Sequence, residues 1–260
     1  MHRLSLVSLL LTAALSACGS EAASGTPPVT PPVPSPTPGP RAGFITGTVT
    51  NERGQPIQGA EVVADNTLSY DSNLITHTDA RGQYSIDVHA LPTTFNVLAK
   101  VTLTYDSLSL PIDLIPENPD EVAGIQGGTR NFVLRPKVIT PQDPYGNLGM
   151  VFLEHRPGEY TIDFRTLDVT LTPIGPLADG TTGTPVTAHP IQSGSGWLVP
   201  NVMWGRYTVT VSMNGHLLKV RARRAVNSDP FADAYTGGFW TDYFISRPSI
   251  FLELHDPAAE

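Results

Sequence analysis

Apolar and polar residues alternate with a period of two through most of this chain beyond residue 42. In residues 43–50, Ile45, Gly47 and Val49 oppose Thr46, Thr48 and Thr50, which predicts a half-buried strand. Residues 59–64 and 75–78 predict two more short strands, and Tyr84, Ile86 and Val88 share one face of another. Residues 95–104 and 130–134 supply the closing strands of this first group. Farther on, 149–154 and 160–165 read as a strand pair around Arg156-Pro157-Gly158. Leu167, Val169 and Leu171 alternate, and Trp197 and Val199 lead toward a core strand through 207–211. Asn214-Gly215 marks a hairpin turn, with 217–222 as its returning strand. Gly, Pro, Asn and Asp separate these runs, and no long segment has a helical period. The pattern predicts an all-β protein of two β-sandwich domains, 43–136 and 145–257, joined by a Pro-bounded hinge at 136–144.

The first forty residues follow other rules. His2 and Arg3 precede an uncharged, Leu-rich run over 4–15, too short to span a bilayer, which needs about twenty residues. A basic start, a short apolar run and small residues after it form a secretory signal. Leu15-Ser16-Ala17-Cys18 resembles the lipobox of bacterial lipoproteins. The resemblance implies removal of residues 1–17, lipidation of Cys18 and acylation of the new amine, palmitate among the acyl groups. Cys18 is the only cysteine, so no internal disulfide explains it. The expected location is the cell envelope, membrane-anchored by lipid and facing away from the cytoplasm. Gly19 in place of an Asp after the Cys leans toward the outer membrane, if the organism has one. Residues 19–42 hold eight prolines within 27–40 and predict an extended polyproline spacer reaching up to ~60 Å.

A second resemblance rests on Gly47-Thr48-Val49-Thr50-Asn51-Glu52-Arg53-Gly54-Gln55-Pro56-Ile57-Gln58-Gly59-Ala60-Glu61-Val62, followed by Thr78-Asp79-Ala80-Arg81-Gly82-Gln83-Tyr84. These residues resemble the carboxypeptidase regulatory-like domain, a transthyretin-like sandwich. The resemblance implies structural roles: Gly54 and Gly82 in turns, Ile57 and Tyr84 in the core, Asp79 bonding turn amides. It implies no catalysis. Residues 105–128, rich in Pro and acids, read as an exposed excursion from that pattern. The domain at 145–257 lacks the opening signature and reads as a transthyretin-like or Ig-like sandwich, open to being a divergent repeat.

Charge and chemistry narrow the function. The formal charge is -8, from 16 basic and 24 acidic residues, which suits no nucleic-acid partner. The seven histidines (His2, His77, His89, His155, His189, His216 and His255) show no metal-binding spacing. His77 and Asp79 read as a surface pair beside a turn. No Gly-x-Ser-x-Gly elbow occurs. The expectation is therefore a non-enzymatic protein without cofactor or metal. Arg221, Arg223 and Arg224 read as exposed strand-end charges that deter edge pairing. In 238–244, Phe239 and Tyr243 share one strand face, Trp240 and Phe244 the other. One pair belongs in a core. The other would bind sugar or a protein partner, so all four are candidate binding residues. The sequence thus predicts an envelope lipoprotein that binds or scaffolds an envelope protein or polysaccharide. The alternative is a carbohydrate- or small-ligand-binding lipoprotein serving an uptake system or degradative enzyme.

Overall fold

The chain enters its first strand through Gly43, at φ +74°, where a Cβ would lie 2.5 Å from the Cβ of His89. The computed structural model describes residues 41–89, 92–224, 229–241 and 247–259. Residues 1–17, Cys18, most of the Pro-rich spacer, Tyr243 and Phe244 lie outside them. The first ten strands are β1 (Phe44–Asn51), β2 (Glu61–Asn66), β3 (Leu74–His77), β4 (Gln83–Asp87), β5 (Thr94–Tyr105), β6 (Leu108–Asp113), β7 (Ile115–Pro116), β8 (Val122–Ala123), β9 (Gly128–Thr129) and β10 (Phe132–Leu134). They form two sheets, ordered β4-β1-β10-β7 and β3-β2-β5-β6, with β9 on β1 and β8 on β5. β1 pairs antiparallel with β4, Gly47 opposite Tyr84, and parallel with β10, Val49 opposite Phe132. The inner faces meet through Ile45, Val49, Tyr84, Ile86 and Phe132 on one sheet and Val62, Phe95, Val101 and Ile112 on the other.

The second half repeats this plan. Its strands are β11 (Gly149–His155), β12 (Leu167–Pro173), β13 (Val186–Ala188), β14 (Ile191–Ser193), β15 (Gly196–Val202), β16 (Tyr207–Met213), β17 (His216–Leu217), β18 (Lys219–Ala222), β19 (Tyr235–Gly237) and β20 (Ser249–His255). The sheets are β14-β15-β11-β20-β18 and β13-β12-β16-β17, with β19 on β16. In each half the first strand lies parallel to the last, β1 beside β10 and β11 beside β20. In each, one strand, β5 or β16, carries a hairpin partner on one side and a short strand, β8 or β19, elsewhere on its length. Buried apolar side chains of both halves join in one large cluster, and Met150, Phe152, Leu198 and Phe251 form a second, smaller one that Trp240 packs against.

Three local expectations are corrected. Residues 105–128 are not an exposed excursion. They fold as β6, β7 and β8 and bury Leu110, Ile112, Leu114 and Val122. Pro111 and Pro116 are accommodated because β6 and β7 are the outermost strands of their sheets, where no partner needs the missing N–H. Residues 160–165 are not a strand. Ile162 and Phe164 point inward from unpaired backbone, and Asp163 caps a short 3-10 turn (Phe164–Thr166) by accepting from Arg165 N–H. β11 instead pairs with β15 and β20. Finally, the single strand expected at 217–222 is split. β17 stays on β16, fully buried Leu218 makes the crossing, and β18 joins the opposite sheet beside β20. β6 and β7 make the same crossing in the first half.

The turn chemistry follows the residues. Asp79 Oδ1 accepts from the backbone N–H of Arg81 at 2.8 Å and of Gln83 at 2.9 Å, and Gly82 takes φ +70°. The bond from the Gln83 amide, more than any other influence, holds the Asp79 carboxyl below its ordinary range. His77 faces Glu61 at 4.0 Å rather than Asp79. Asn214 and Gly215 both take positive φ, as the β16–β17 hairpin requires.

Candidate binding site

β5 sets one wall of the site. Its buried face runs through Phe95, Val97, Ala99, Val101 and Leu103, and the next residue on that face, Tyr105, extends beyond the first sandwich toward the second. The Tyr105 hydroxyl donates to Gly205 O at 3.2 Å and accepts from the backbone N–H of Phe239 at 2.8 Å. The ring meets Phe239 edge-on, with centroids 6.0 Å apart. Burial pushes the Tyr105 phenol up, so it stays neutral and able to donate. Asp106 and Ser107, which turn the chain into β6, both lie in the left-handed region at φ 46° and 66°. Neither is glycine, so this tip carries backbone strain.

The opposite wall comes from 235–240. Tyr235 donates its hydroxyl to Gly238 O at 2.7 Å. Two glycines permit the packing: a Cβ on Gly237 would lie 2.1 Å from the Tyr235 hydroxyl, and one on Gly238 would lie 2.1 Å from that of Tyr105. Burial holds the Tyr235 phenol up at about 12, against the pull of the neighbouring Arg224 and Arg206. Phe239 is buried between Tyr105 and Tyr207. It is therefore the core member of the aromatic run.

Trp240 is half-buried. Its backbone exchanges two 2.9 Å hydrogen bonds with Ser249, which fixes its place beside β20. Its ring contacts Tyr235 at 6.1 Å and Phe251 at 5.6 Å, and the Arg224 guanidinium lies over it at 4.8 Å. The other two arginines of the strand end are also engaged, contrary to the expectation of solvated edge charges. Arg221 gives 2.8 and 2.7 Å contacts to Glu253 Oε2, and Arg223 pairs with Glu154. The cross-strand register of β18 and β20, with Arg221 opposite Glu253, brings the first pair together.

These walls flank an open hollow of about 680 Å³, lined by Tyr105, Asp106, Arg206, Arg224, Tyr235 and Trp240 among others. That volume falls within the usual range of ligand sites. Among the described residues, neither Asp106 nor Arg206 makes a side-chain hydrogen bond or ion pair. The aromatic run points to Trp240 in the sequence. Tyr105, Asp106, Arg206 and Tyr235 come from three other stretches and carry no shared motif; only the Asp106-Ser107 turn hints at them. A second hollow, about 380 Å³, lies at the far end of β11 beside exposed Tyr160 and half-buried Trp197. Among the described residues, no three His, Cys, Asp or Glu side chains gather to hold a metal ion. No described helix is long and apolar enough to cross a membrane.

No family model and no curated protein matches the chain. Among solved structures, the Bacillus anthracis TIE protein aligns at 11% identity over 82% of this chain and 33% of its own, with a TM-score of 0.32. A Bacteroides thetaiotaomicron protein, provisionally named as polysaccharide-binding, aligns at 11% identity over 66% of this chain and 76% of its own, with a TM-score of 0.23. A C-terminal fragment of the pilus adhesin SpaC from Lactobacillus rhamnosus GG aligns at 10% identity over 81% and 95%, with a TM-score of 0.24. This chain spans about a third of the length of the first of these proteins.

Proposed function

We propose that this protein is a non-catalytic binding module of the cell envelope, tethered by lipid at Cys18, whose ligand is a saccharide held in the Trp240 cavity. The observation that carries the ligand assignment is the cavity lining. Asp106 and Arg206, neither engaged with another described side chain, face the same space as Trp240 and Tyr235. A sugar presents apolar C–H faces and hydroxyls that both donate and accept. An acceptor-only carboxylate and a donor-only guanidinium serve neighbouring hydroxyls, and aromatic rings serve the C–H face. The two existing tyrosine hydroxyl bonds keep the walls rigid, so little ordering opposes binding.

The tether rests on the sequence pattern at 15–18 and on Cys18 being the sole thiol. Two or more acyl chains give stable anchoring. The spacer at 19–42 would lift the sandwiches clear of the bilayer, at the outer membrane where the cell has one. The matched strand order of the two halves supports reading the second as a divergent repeat of the first. The Asp79 turn and the β1–β4 pairing support the regulatory-like reading of 43–136.

Affinity electrophoresis of the full chain against a panel of soluble polysaccharides tests the ligand. Retardation by at least one of them, lost in Trp240→Ala and kept in Tyr160→Ala, is the expected result. Loss in Tyr160→Ala alone would move the site to the other hollow, and no retardation by any polysaccharide would end the saccharide reading. Mass analysis of the mature N-terminal peptide tests the tether, and an unacylated Cys18 would end that part.

A further inference from the structure

We infer that the outer face of the β3-β2-β5-β6 sheet is a dimer interface, on which a second copy of this chain packs about a two-fold axis running along the strands between β2 and β5. Val62, Ala64, Ala99, Val101 and Ile112 point from this sheet into the core, so their neighbours in sequence form its outer face. Two rows cross that face. Ile75, Val63 and Leu98 stand side by side on β3, β2 and β5 by register. Ile75 is 59% exposed and Leu98 58%, with Val63 half-buried between them. A lone exposed apolar side chain is ordinary, but three in register make a patch. The adjoining row runs His77, Glu61, Lys100 and Asp113 across all four strands, base and acid in alternation. Glu61 lies 3.0 Å from Lys100 Nζ and 4.0 Å from His77 Nε2.

The order of the charges selects both the occupant and the axis. Turned about an axis along the strands between β2 and β5, a second copy meets each row with the same row reversed. Glu61 then faces the partner's Lys100, and His77 faces the partner's Asp113, so base meets acid at every position. Val63 faces the partner's Leu98, and the apolar rows cover one another. An axis across the strands would instead set Glu61 against the partner's Glu61, or lay the charged row on the apolar one. The Glu61–Lys100 pair within each chain is kept, and the dimer adds a second counter-charge to each group. Sheets packed face to face with nearly aligned strands are the ordinary arrangement. Because the axis follows the strands, the β5–β6 tips of both copies point the same way. Strands ~4.8 Å apart make this face about 15–20 Å wide, small for a specific interface, so the dimer is weak and reversible.

Sedimentation equilibrium of the full chain in density-matched neutral detergent tests this. A reversible monomer–dimer equilibrium is expected, weakened about tenfold or more in Leu98→Ser, because each dimer loses two covered leucines. Glu61→Lys and Lys100→Glu should each leave a monomer, since each sets like charges face to face across the axis. Mixed in equal amounts, these two variants should dimerise again, one copy of each. A role confined to the fold of a single chain cannot produce that result. Circular dichroism matching wild type confirms that each variant is folded. A wild-type chain that stays monomeric up to about 1 mM overturns the inference. So does a dimer indifferent to Leu98→Ser and to both charge swaps, and so does a mixture that stays monomeric. None of these results bears on the saccharide reading, which is tested at Trp240.

Discussion

Tyr105→Phe isolates the contact that sets the cavity wall. The change removes one oxygen and leaves the ring, so the edge-on packing against Phe239 survives. Lost are the bond to Gly205 O at 3.2 Å and the acceptor for the Phe239 N–H at 2.8 Å. A typical hydrogen bond contributes about 1 kcal/mol, and a buried donor left unmade costs about 1–3 kcal/mol. Tyr105 is half-buried, so water partly replaces the first loss but reaches the Phe239 amide, behind a buried ring, less well. The expected cost is about 1–2 kcal/mol, or a fall in Tm of roughly 2–8 °C for a protein of this size. Thermal and urea unfolding followed by circular dichroism measure it, and saccharide affinity should fall in parallel because the wall loosens. Unfolding within about 0.5 kcal/mol of wild type, with unchanged affinity, would refute the claim that this hydroxyl organises the site.

Other consequences are as specific. Gly47→Ala places a Cβ 1.8 Å from Arg130 O, a backbone atom held by the Tyr84 hydroxyl, and should cost more than about 4 kcal/mol or prevent folding, read by urea titration. Ser107→Gly relieves a left-handed non-glycine residue at a hairpin tip and should stabilise by about 0.5–1 kcal/mol in the same assay, with binding unchanged. Burial pushes the Glu159 carboxyl up, but the Asp256 N–H at 2.7 Å and the His255 ring at 2.8 Å outweigh it and hold the group below its ordinary value. Its folded value is depressed, so its contribution is present above the unfolded value of about 4.5 and lost as pH falls through the folded one. Glu159→Gln should therefore flatten the acid limb of a stability–pH curve below about pH 4.5, and an unaltered limb would contradict the pairing.

Much of the architecture was legible because alternation reports which side chains face a core. Ile45 and Val49, Tyr84 and Ile86, and Leu167, Val169 and Leu171 are buried as their spacing implies. The same signal misleads at 160–165. Ile162 and Phe164 alternate and are buried, yet alternation requires only extended backbone, not a paired strand. It misleads in the opposite direction at 105–128, where prolines and acids mask strands whose outer edge has no partner to lose. The parallel pairings of β1 with β10 and β11 with β20 join residues far apart in the chain, such as Val49 with Phe132 and Met150 with Ser249, and no local pattern encodes them. The site divides in the same way. The aromatic run exposes Trp240, but Asp106 and Arg206 become its neighbours only once the β5–β6 tip docks on the second half. The arginine cluster looked like surface charge because Glu253 and Glu154 lie far away in sequence.

The central claim is that ligand enters the cavity beside Trp240, and the indole N–H resonances report on it directly. Trp204 is buried and donates to Pro248 O at 2.9 Å, so it serves as an internal reference. With the three indole signals assigned by single Trp→Phe variants, titration with the tightest-binding saccharide of the panel should shift the Trp240 signal in a saturable way and leave Trp204 in place. A stationary Trp240 signal under saturating ligand would contradict the account.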